Sequence, residues 1–200
     1  VFEFLDEPEE AKENKNLVKI KKVKGEIEFN NVTFGYNPDK IIINNLSAHI
    51  KPGQRVAIVG PTGAGKTTLV NLLMRFYEIN SGTIKIDGID IREMKRSDVR
   101  QMFGMVLQDT WLFSGTIRDN LRYSKPDATE DEIIAVAKEA HVDHFVRSLP
   151  GGYDMVLDEE ATNISQGEKQ LLTIARAMLA KTPMLILDEA TSSVDTRTEL

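Results

Sequence analysis

The sequence contains no cysteine, which excludes a scaffold held together by disulfide bonds and is typical of proteins in the reducing cytosol. It also has no apolar run that approaches the roughly 20 residues needed for a membrane-spanning helix. Any role at a membrane is therefore expected to depend on a partner or on a segment outside these residues.

An excess of basic charge is absent as well. The chain has 31 acidic and 25 basic residues, a net charge of −6, whereas nucleic-acid binders usually present a basic face. This balance argues against nucleic acid as a partner. Two hundred residues, 41% of them hydrophobic, are enough for one domain with its own core.

The first 24 residues are predicted to be a linker. Residues 6–16 are rich in charge and are interrupted by Pro8, a pattern that does not build a packed element. The same composition is typical of a disordered tail, so composition leaves both interpretations open.

Alternating polar and apolar residues predict strands in the next part of the chain. The predicted strands are Glu26 to Phe29, Val32 to Phe34, Ile41 to Ile43, Leu46 to Ile50, and Thr83 to Ile86 before an Asp87-Gly88 turn. Together they indicate an antiparallel β region.

Short apolar runs and helical spacing predict the remaining elements. Short apolar runs at Arg55 to Val59, Phe103 to Leu107 and Met184 to Leu187 are typical of strands, and we expect the first and last to be buried parallel strands. Helical spacing predicts helices over Lys66 to Tyr77 and Ser165 to Ala180. A further helix is expected to start at the capping box Thr129 to Glu132.

A glycine-rich loop follows the first of these apolar runs. Residues 60–67 fit the phosphate-binding pattern G-x-x-x-x-G-K-(S/T), in which backbone N–H groups and a helix N-terminus hold phosphate oxygens. The pattern predicts that Lys66 contacts the β- and γ-phosphates and that Thr67 binds Mg²⁺. The predicted binding loop comprises Gly60, Pro61, Thr62, Gly63, Ala64, Gly65, Lys66 and Thr67.

Two carboxylates follow the last apolar run. Asp188 and Glu189 are expected at the C-terminal edge of the sheet, where open α/β sheets bind ligands. Asp188 is predicted to hold Mg²⁺, and Glu189 is the candidate general base for an attacking water. Alone, such a pair could equally be an acidic surface turn.

Between these motifs, Ile164 to Glu168 opens a helix, and the three motifs together resemble the nucleotide-binding domain of ATP-binding-cassette (ABC) transporters. The resemblance implies an α/β fold: a P-loop NTPase core with a mixed, mainly parallel sheet, an N-terminal antiparallel β subdomain and an α-helical subdomain at about 109–180. It implies a nucleotide-binding domain over 25–200. It also favours a linker from a fused, exporter-type membrane domain over a disordered tail for 1–24.

The resemblance also implies roles for further residues. Tyr36 would stack on adenine, although it could simply pack at a strand end, and Thr68 would reach the α-phosphate. Gln108 would contact Mg²⁺ or the attacking water. Ser165 and Gly167 would bind the γ-phosphate of ATP held by a second nucleotide-binding domain, and Asp195 would reach across that dimer.

The segment around Ser165 departs from the family pattern Leu-Ser-Gly-Gly-Gln. Gln166 adds a side chain where glycine is usual, and Glu168 brings a carboxylate towards an anionic ligand. We therefore expect a weakened ATP site where this segment meets the ATP of a second domain. Because the chain's own phosphate loop would then need a partner with a better segment, we favour a heterodimer over a homodimer. Ser165 and Glu168 also form a capping box, which is compatible with a phosphate-binding role.

Membrane coupling is expected near Trp111. In exporters the corresponding segment receives a helix of the membrane domain, and Trp111, Leu112 and Phe113 would form an apolar groove for it. The alternative is that these residues belong to a local core. The protein is expected at the cytoplasmic face of the cell membrane.

Hydrolysis of Mg-ATP to drive export is the function that these motifs favour. A nucleotide-gated module with little turnover and a non-transport ABC ATPase are the alternatives. The family's switch histidine should follow Asp195, and none occurs before Leu200, so we expect a truncated domain that binds ATP weakly and hydrolyses it poorly.

Overall fold

The computed structural model describes residues 13, 17–37, 39–107, 110–158 and 161–188. The chain divides into two compact units, Val1–Arg100 and Gln101–Leu200. Among the described residues, none of the helices has both the length and the hydropathy needed to cross a lipid bilayer.

The first unit contains a four-stranded antiparallel sheet with the order β2-β1-β3-β4. Its strands are β1 Ile27–Phe34, β2 Ile43–Ile50, β3 Ser81–Ile86 and β4 Ile89–Asp90. The turn between β3 and β4 is Asp87-Gly88, and both residues have positive φ angles, 49° and 80°. Such angles suit a tight hairpin. The expected antiparallel β region is therefore confirmed.

Strand β1 replaces the two separate strands predicted for this region. Its pairing with β2 shifts register between Phe29 and Val32, where Asn31 has a φ angle of 50°. The irregularity places Ile27, Phe29, Val32 and Phe34 in the interior, although simple alternation would put the two halves out of phase. A bulge thus keeps one apolar face along the whole strand.

The helical part of the first unit is small. It comprises α1 Lys66–Leu73, a 3-10 turn Ile91–Glu93 and α2 Arg96–Gln101. The helix predicted to reach Tyr77 stops at Leu73, because Arg75 turns the chain with a φ angle of 53°. The buried guanidinium of Arg75 donates hydrogen bonds to the carbonyls of Ile91 and Met94, which holds that turn in place.

The segment before the sheet is attached to the first unit at several points. The N–H groups of Lys24 and Glu26 donate to the carboxylate of Asp87, at 2.7 and 2.9 Å. Further upstream, the N–H of Val18 donates to the carbonyl of Glu93. Residues 18–26 therefore lie along the β3–β4 side of this unit.

The strand predicted over Arg55 to Val59 is wrong. These residues have no strand conformation, and Val59 is 87% exposed. A short apolar run forms a buried parallel strand only where neighbouring strands pair with it and helices cover its faces. The described part of the first unit offers this run no strand partner.

The second unit is mostly helical. Its elements in chain order are β5 Phe103–Val106, β6 Gly115–Thr116, α3 Ile117–Arg122, α4 Glu130–Glu139, α5 Asp143–Ser148, a 3-10 turn Gly152–Asp154, β7 Val156–Leu157, α6 Gln166–Leu179 and β8 Met184–Leu187. Capping boxes open α3, α4 and α6, with Thr116, Thr129 and Ser165 as the capping residues. The predicted helix starts at Thr129 and Ser165 are confirmed.

The core of the second unit lies between its helices. Ile117, Ile133, Val146, Leu157 and Leu172 are among the buried residues that form one continuous apolar cluster. Strands β5 and β8 pair in parallel, and β6 and β7 pair antiparallel. In the described part of the chain, parallel pairing is confined to β5 and β8.

Strand β8 exists where it was predicted but is not buried. Leu185 and Leu187 are exposed, because the pair β5–β8 has only two strands over the described residues. The predicted location of this strand is confirmed and its predicted burial is wrong. The mixed α/β class with antiparallel N-terminal strands is also confirmed.

Candidate nucleotide-binding site

The glycine-rich loop adopts a backbone shape that side chains would oppose. Gly63 and Gly65 have φ angles of 82° and 89°. A Cβ atom on Gly65 would lie 2.9 Å from Ile42 Cγ2 and 3.0 Å from Ile43 Cδ1. Glycine at position 65 is therefore favoured by the backbone angle, and a larger residue would also force the side chains of Ile42 and Ile43 to shift.

The N-terminus of α1 differs from those of the other long helices. Thr129 and Ser165 cap their helices with a side-chain oxygen, whereas α1 is preceded by Gly65, which has no side chain. No acidic residue occurs in the first turn of α1. No side chain of the first turn therefore neutralises the partial positive charge of this helix end. The loop before the helix is also exposed, so an anion could reach this charge.

The side chain of Lys66 folds back over this loop. Its Nζ donates to the carbonyl oxygens of Gly60 at 2.8 Å and Pro61 at 3.2 Å. The ammonium therefore lies beside the backbone groups that the sequence predicts for phosphate binding. Thr67 follows in the same turn and is exposed.

An aromatic cluster lies close to the same helix. Tyr36 makes edge-to-face contacts with Phe34 and Tyr77, at centroid distances of 5.0 and 4.9 Å. Its hydroxyl is 3.3 Å from the Oγ1 of the buried Thr68. Tyr36 thus packs at a strand end, and with 46% of its surface exposed it still offers area for a planar ligand. No pattern in the sequence pointed to Tyr77.

One part of the predicted site is therefore found together in the first unit. The loop 60–67 and Thr68 are continuous with α1, and the contact between Thr68 and Tyr36 links them to the aromatic cluster. The loop predicted to bind phosphate is thus connected, through Thr68, to an aromatic ring that could stack on a planar ligand.

Another part lies at the ends of β5 and β8. The N–H of Asp188 donates to the carbonyl of Val106 at 2.9 Å and so extends the parallel pairing by one residue. Asp188 and Leu107 therefore leave the same edge of the strand pair. The predicted residues Gln108, Glu189 and Asp195 lie outside the described residues.

The start of α6 is a complete capping box. The Ser165 hydroxyl accepts from the N–H of Glu168, and the Glu168 carboxylate accepts from the N–H of Ser165 at 2.7 Å. Glu168 is thereby turned back onto the helix end. The amide of Gln166 instead extends sideways and donates to Thr110 Oγ1 at 3.0 Å.

Three aromatic rings of the second unit, two exposed and one half-buried, form a cluster here called the aromatic surface: Trp111, Tyr123 and the half-buried Phe113. Their centroids are 5.7 to 6.0 Å apart. Trp111 is 58% and Tyr123 61% exposed. Leu112 is only 4% exposed and belongs to the helical core, so its predicted place in an apolar groove is wrong. The alternative expected from the sequence, that this residue belongs to a local core, is the one observed for Leu112.

A buried arginine supports the aromatic surface from below. Arg176, 9% exposed, donates to the carbonyls of Trp111 and Asn120 and to Asn120 Oδ1, at 2.7 to 2.9 Å. Its guanidinium lies 5.9 Å from the Trp111 ring and 5.4 Å from the Tyr123 ring. Burial lowers the pKa of Arg176 below its usual value. No motif in the sequence marks Arg176, and the only signal for it is an arginine among the apolar positions of α6.

Replacing Arg176 with methionine is expected to lower the free energy of unfolding by about 3 kcal/mol, because it leaves buried carbonyl oxygens without donors. Urea unfolding followed by circular dichroism measures this loss. Arg147→Met is the matched control. Arg147 is exposed and its ion pair with Asp143 spans one helical turn, so about 0.5 kcal/mol or less is expected. Equal losses in both variants would contradict the assignment.

The chain matches a known protein family. The sequence model of the family described as ABC transporter matches residues 43–192. A fatty acid ABC transporter ATP-binding/permease protein of Mycobacterium bovis is 58% identical over 200 residues, which cover 100% of this chain and 31% of the relative. An ATP-dependent lipid A-core flippase of Desulfotalea psychrophila is 44% identical over 199 residues, with 100% and 35% covered.

A solved structure gives a consistent result. The structure of a bacterial Atm1-family ABC exporter with ATP bound matches with a TM-score of 0.90 and 41% identity, over 99% of this chain and 35% of that one. The chain thus spans about a third of the length of the relatives that it matches.

Proposed function

Because the chain belongs to the ABC transporter family, we propose that it is the ATP-binding and ATP-hydrolysing domain of a membrane exporter. The observation that carries the proposal is the loop before α1, with Gly63 and Gly65 at positive φ and the ammonium of Lys66 beside it. Residues 25–200 form this domain, with helices at about 109–180, and residues 1–24 connect it to a membrane domain.

ATP is held at two ends in this proposal. The N–H groups of the loop 60–67, apart from Pro61, which has none, and the ammonium of Lys66 bind the phosphates, since they combine a helix N-terminus with a positive charge. Tyr36 stacks on the adenine and Thr68 approaches the α-phosphate. The contact between Tyr36 and Thr68 supports this arrangement, because it joins the two ends of the site.

Mg²⁺ is the proposed metal, and the residues present fit it. Thr67, Gln108 and Asp188 supply the hydroxyl, amide and carboxylate oxygens that this ion prefers. The ion would neutralise charge on the phosphates while the γ-phosphoryl group is transferred to water and ADP leaves. Glu189 follows Asp188 directly, and as the general base it accepts the proton of the attacking water.

A second nucleotide-binding domain is the proposed partner. Ser165 and Gly167 at the start of α6 would bind the γ-phosphate of ATP held by that domain, with Asp195 reaching across. The carboxylate of Glu168 lies against the N–H of Ser165, so negative charge remains at this helix end. This supports a weakened site between the two domains, and a heterodimer with a partner whose segment corresponding to residues 164–168 is better suited to phosphate.

The membrane domain is the other proposed partner. Trp111 and Phe113 receive a helix of that domain, and Tyr123 takes the place that Leu112 was expected to fill. The exposure of two large rings supports an interface here. The assembly would work at the cytoplasmic face of the cell membrane.

Nucleotide binding tests the proposal directly. We expect Tyr36→Leu to weaken ATP binding about ten-fold, the usual effect of losing one base-stacking aromatic ring. Isothermal titration calorimetry at high protein concentration measures the affinity.

Tyr123→Leu serves as the control for the binding measurement. It also removes an exposed tyrosine from an aromatic cluster, but from the second unit, and should leave the affinity unchanged. If the unmodified chain does not bind ATP, the proposed function is refuted. Equal affinities of Tyr36→Leu and the unmodified chain would remove Tyr36 from the site.

A further inference from the structure

A contact at the start of helix α6 has no counterpart in the family pattern Leu-Ser-Gly-Gly-Gln. Gln166, where the family has glycine, donates its amide to Thr110 Oγ1 at 3.0 Å. Thr110 directly precedes Trp111, the first ring of the aromatic surface. A glycine at position 166 could not form this bond, since it has no side chain.

The same segment is held again further along α6. Arg176 lies ten residues after Gln166, which corresponds to about 15 Å along a helix axis. Its guanidinium donates to the Trp111 carbonyl at 2.9 Å. Thr110 and Trp111 are therefore attached to α6 at two separate points, one at the exposed start of the helix and one in the interior.

The two attachments are unequal. Arg176 is buried and also donates to Asn120, so its bonds belong to the core of the unit. The bond between Gln166 and Thr110 is exposed and involves neutral groups. Water competes with a bond of this kind, so it can open and close without unfolding the unit.

We infer that Gln166 is a positioning residue: it ties the start of α6 to the segment that carries the aromatic surface, so that movement of one is passed to the other. This inference rests on the proposed function, in which Ser165 at the helix start contacts ATP and Trp111 contacts the membrane domain. Gln166 itself need not touch either ligand. The departure from glycine then strengthens coupling, in addition to its expected effect on phosphate binding.

The hydrogen bond between Gln166 and Thr110 can be tested first by fluorescence, because Trp111 is the only tryptophan of the chain. Gln166→Leu and Thr110→Val each remove one partner of the bond, and both should lower the fluorescence anisotropy of Trp111. Thr110→Ser keeps the hydroxyl and should retain the original anisotropy. Asn163→Leu is the matched control, because it removes one exposed amide that donates to Val156 instead.

The functional consequence needs the protein that carries this chain, reconstituted in lipid vesicles. Gln166→Leu and Thr110→Val should each lower kcat for ATP hydrolysis about five-fold, as expected for one exposed neutral hydrogen bond. KM for ATP should stay unchanged, because the loop 60–67 is intact and leucine, like glutamine, keeps a side chain at position 166. The double variant should lose no more than either single variant.

The anisotropy and ATPase measurements distinguish failure of this inference from failure of the proposed function. The inference would be overturned if the two losses of kcat multiplied in the double variant, or if the Trp111 anisotropy were the same in all variants. Unchanged kcat in an active protein would overturn the inference and leave the proposed function standing. Absence of ATP hydrolysis by the unmodified protein would refute the proposed function, and the coupling role would be refuted with it.

Discussion

Lys66→Ala is expected to lower ATP turnover about 10²- to 10³-fold, the range seen when one preorganised donor to a developing charge is removed. The ammonium lies 2.8 Å from the Gly60 carbonyl, at the loop that we propose holds the phosphates. Only a short movement is then needed to place it on phosphate oxygens. Alanine leaves the N–H groups of the loop but removes their mobile positive charge.

Hydrolysis of ATP by the reconstituted protein, measured as released phosphate, gives the turnover. Lys51→Ala is the matched control, since Lys51 is an exposed lysine of the same unit just after β2. Its turnover should equal that of the unmodified protein. The melting temperature of Lys66→Ala should change little, because the carbonyls that Lys66 contacts are exposed and can bind water instead. Full turnover by Lys66→Ala would rule out its role.

Glu189→Gln is expected to lower turnover about 10²- to 10⁴-fold, the range for loss of a general base. The amide keeps the size of the side chain but cannot accept the proton of the attacking water. Binding of ATP should persist, because the proposed phosphate and adenine contacts come from other residues. The variant should therefore separate hydrolysis from binding.

Two measurements on the Glu189→Gln protein check this: phosphate release and the affinity for ATP. Asp158→Asn, which changes a carboxylate of the second unit bonded to Thr162, is the control and should retain turnover. A protein that binds ATP but shows equally slow turnover with Glu or Gln at position 189 would instead be a nucleotide-gated binding module. That result would replace hydrolysis as the proposed function.

Local sequence signals predicted the capped helices well. The capping boxes at Thr129 and Ser165 marked the true starts of α4 and α6, because a capping box satisfies N–H groups within four neighbouring residues. The turn Asp87-Gly88 was equally local. Such elements depend little on the rest of the chain, which explains why pattern alone located them.

Elements that depend on distant partners were predicted less well. Arg55 to Val59 has the composition of a buried strand but no strand conformation among the described residues. The helix from Lys66 ends early because Arg75 is held by carbonyls about 20 residues away. Leu112 turned out to be a core residue, since the apolar character of a triplet does not reveal which member points inward.

The sequence by itself determined the family, the loop predicted to bind phosphate and the residue types available for chemistry, because these are short motifs whose meaning lies in adjacent residues. Only the tertiary structure decided that Tyr77 packs against Tyr36, that Arg176 lies beneath Trp111 and that Gln166 reaches Thr110. These contacts join residues 41 to 65 positions apart along the chain. Their formation depends on how whole elements pack, and no local pattern records that packing.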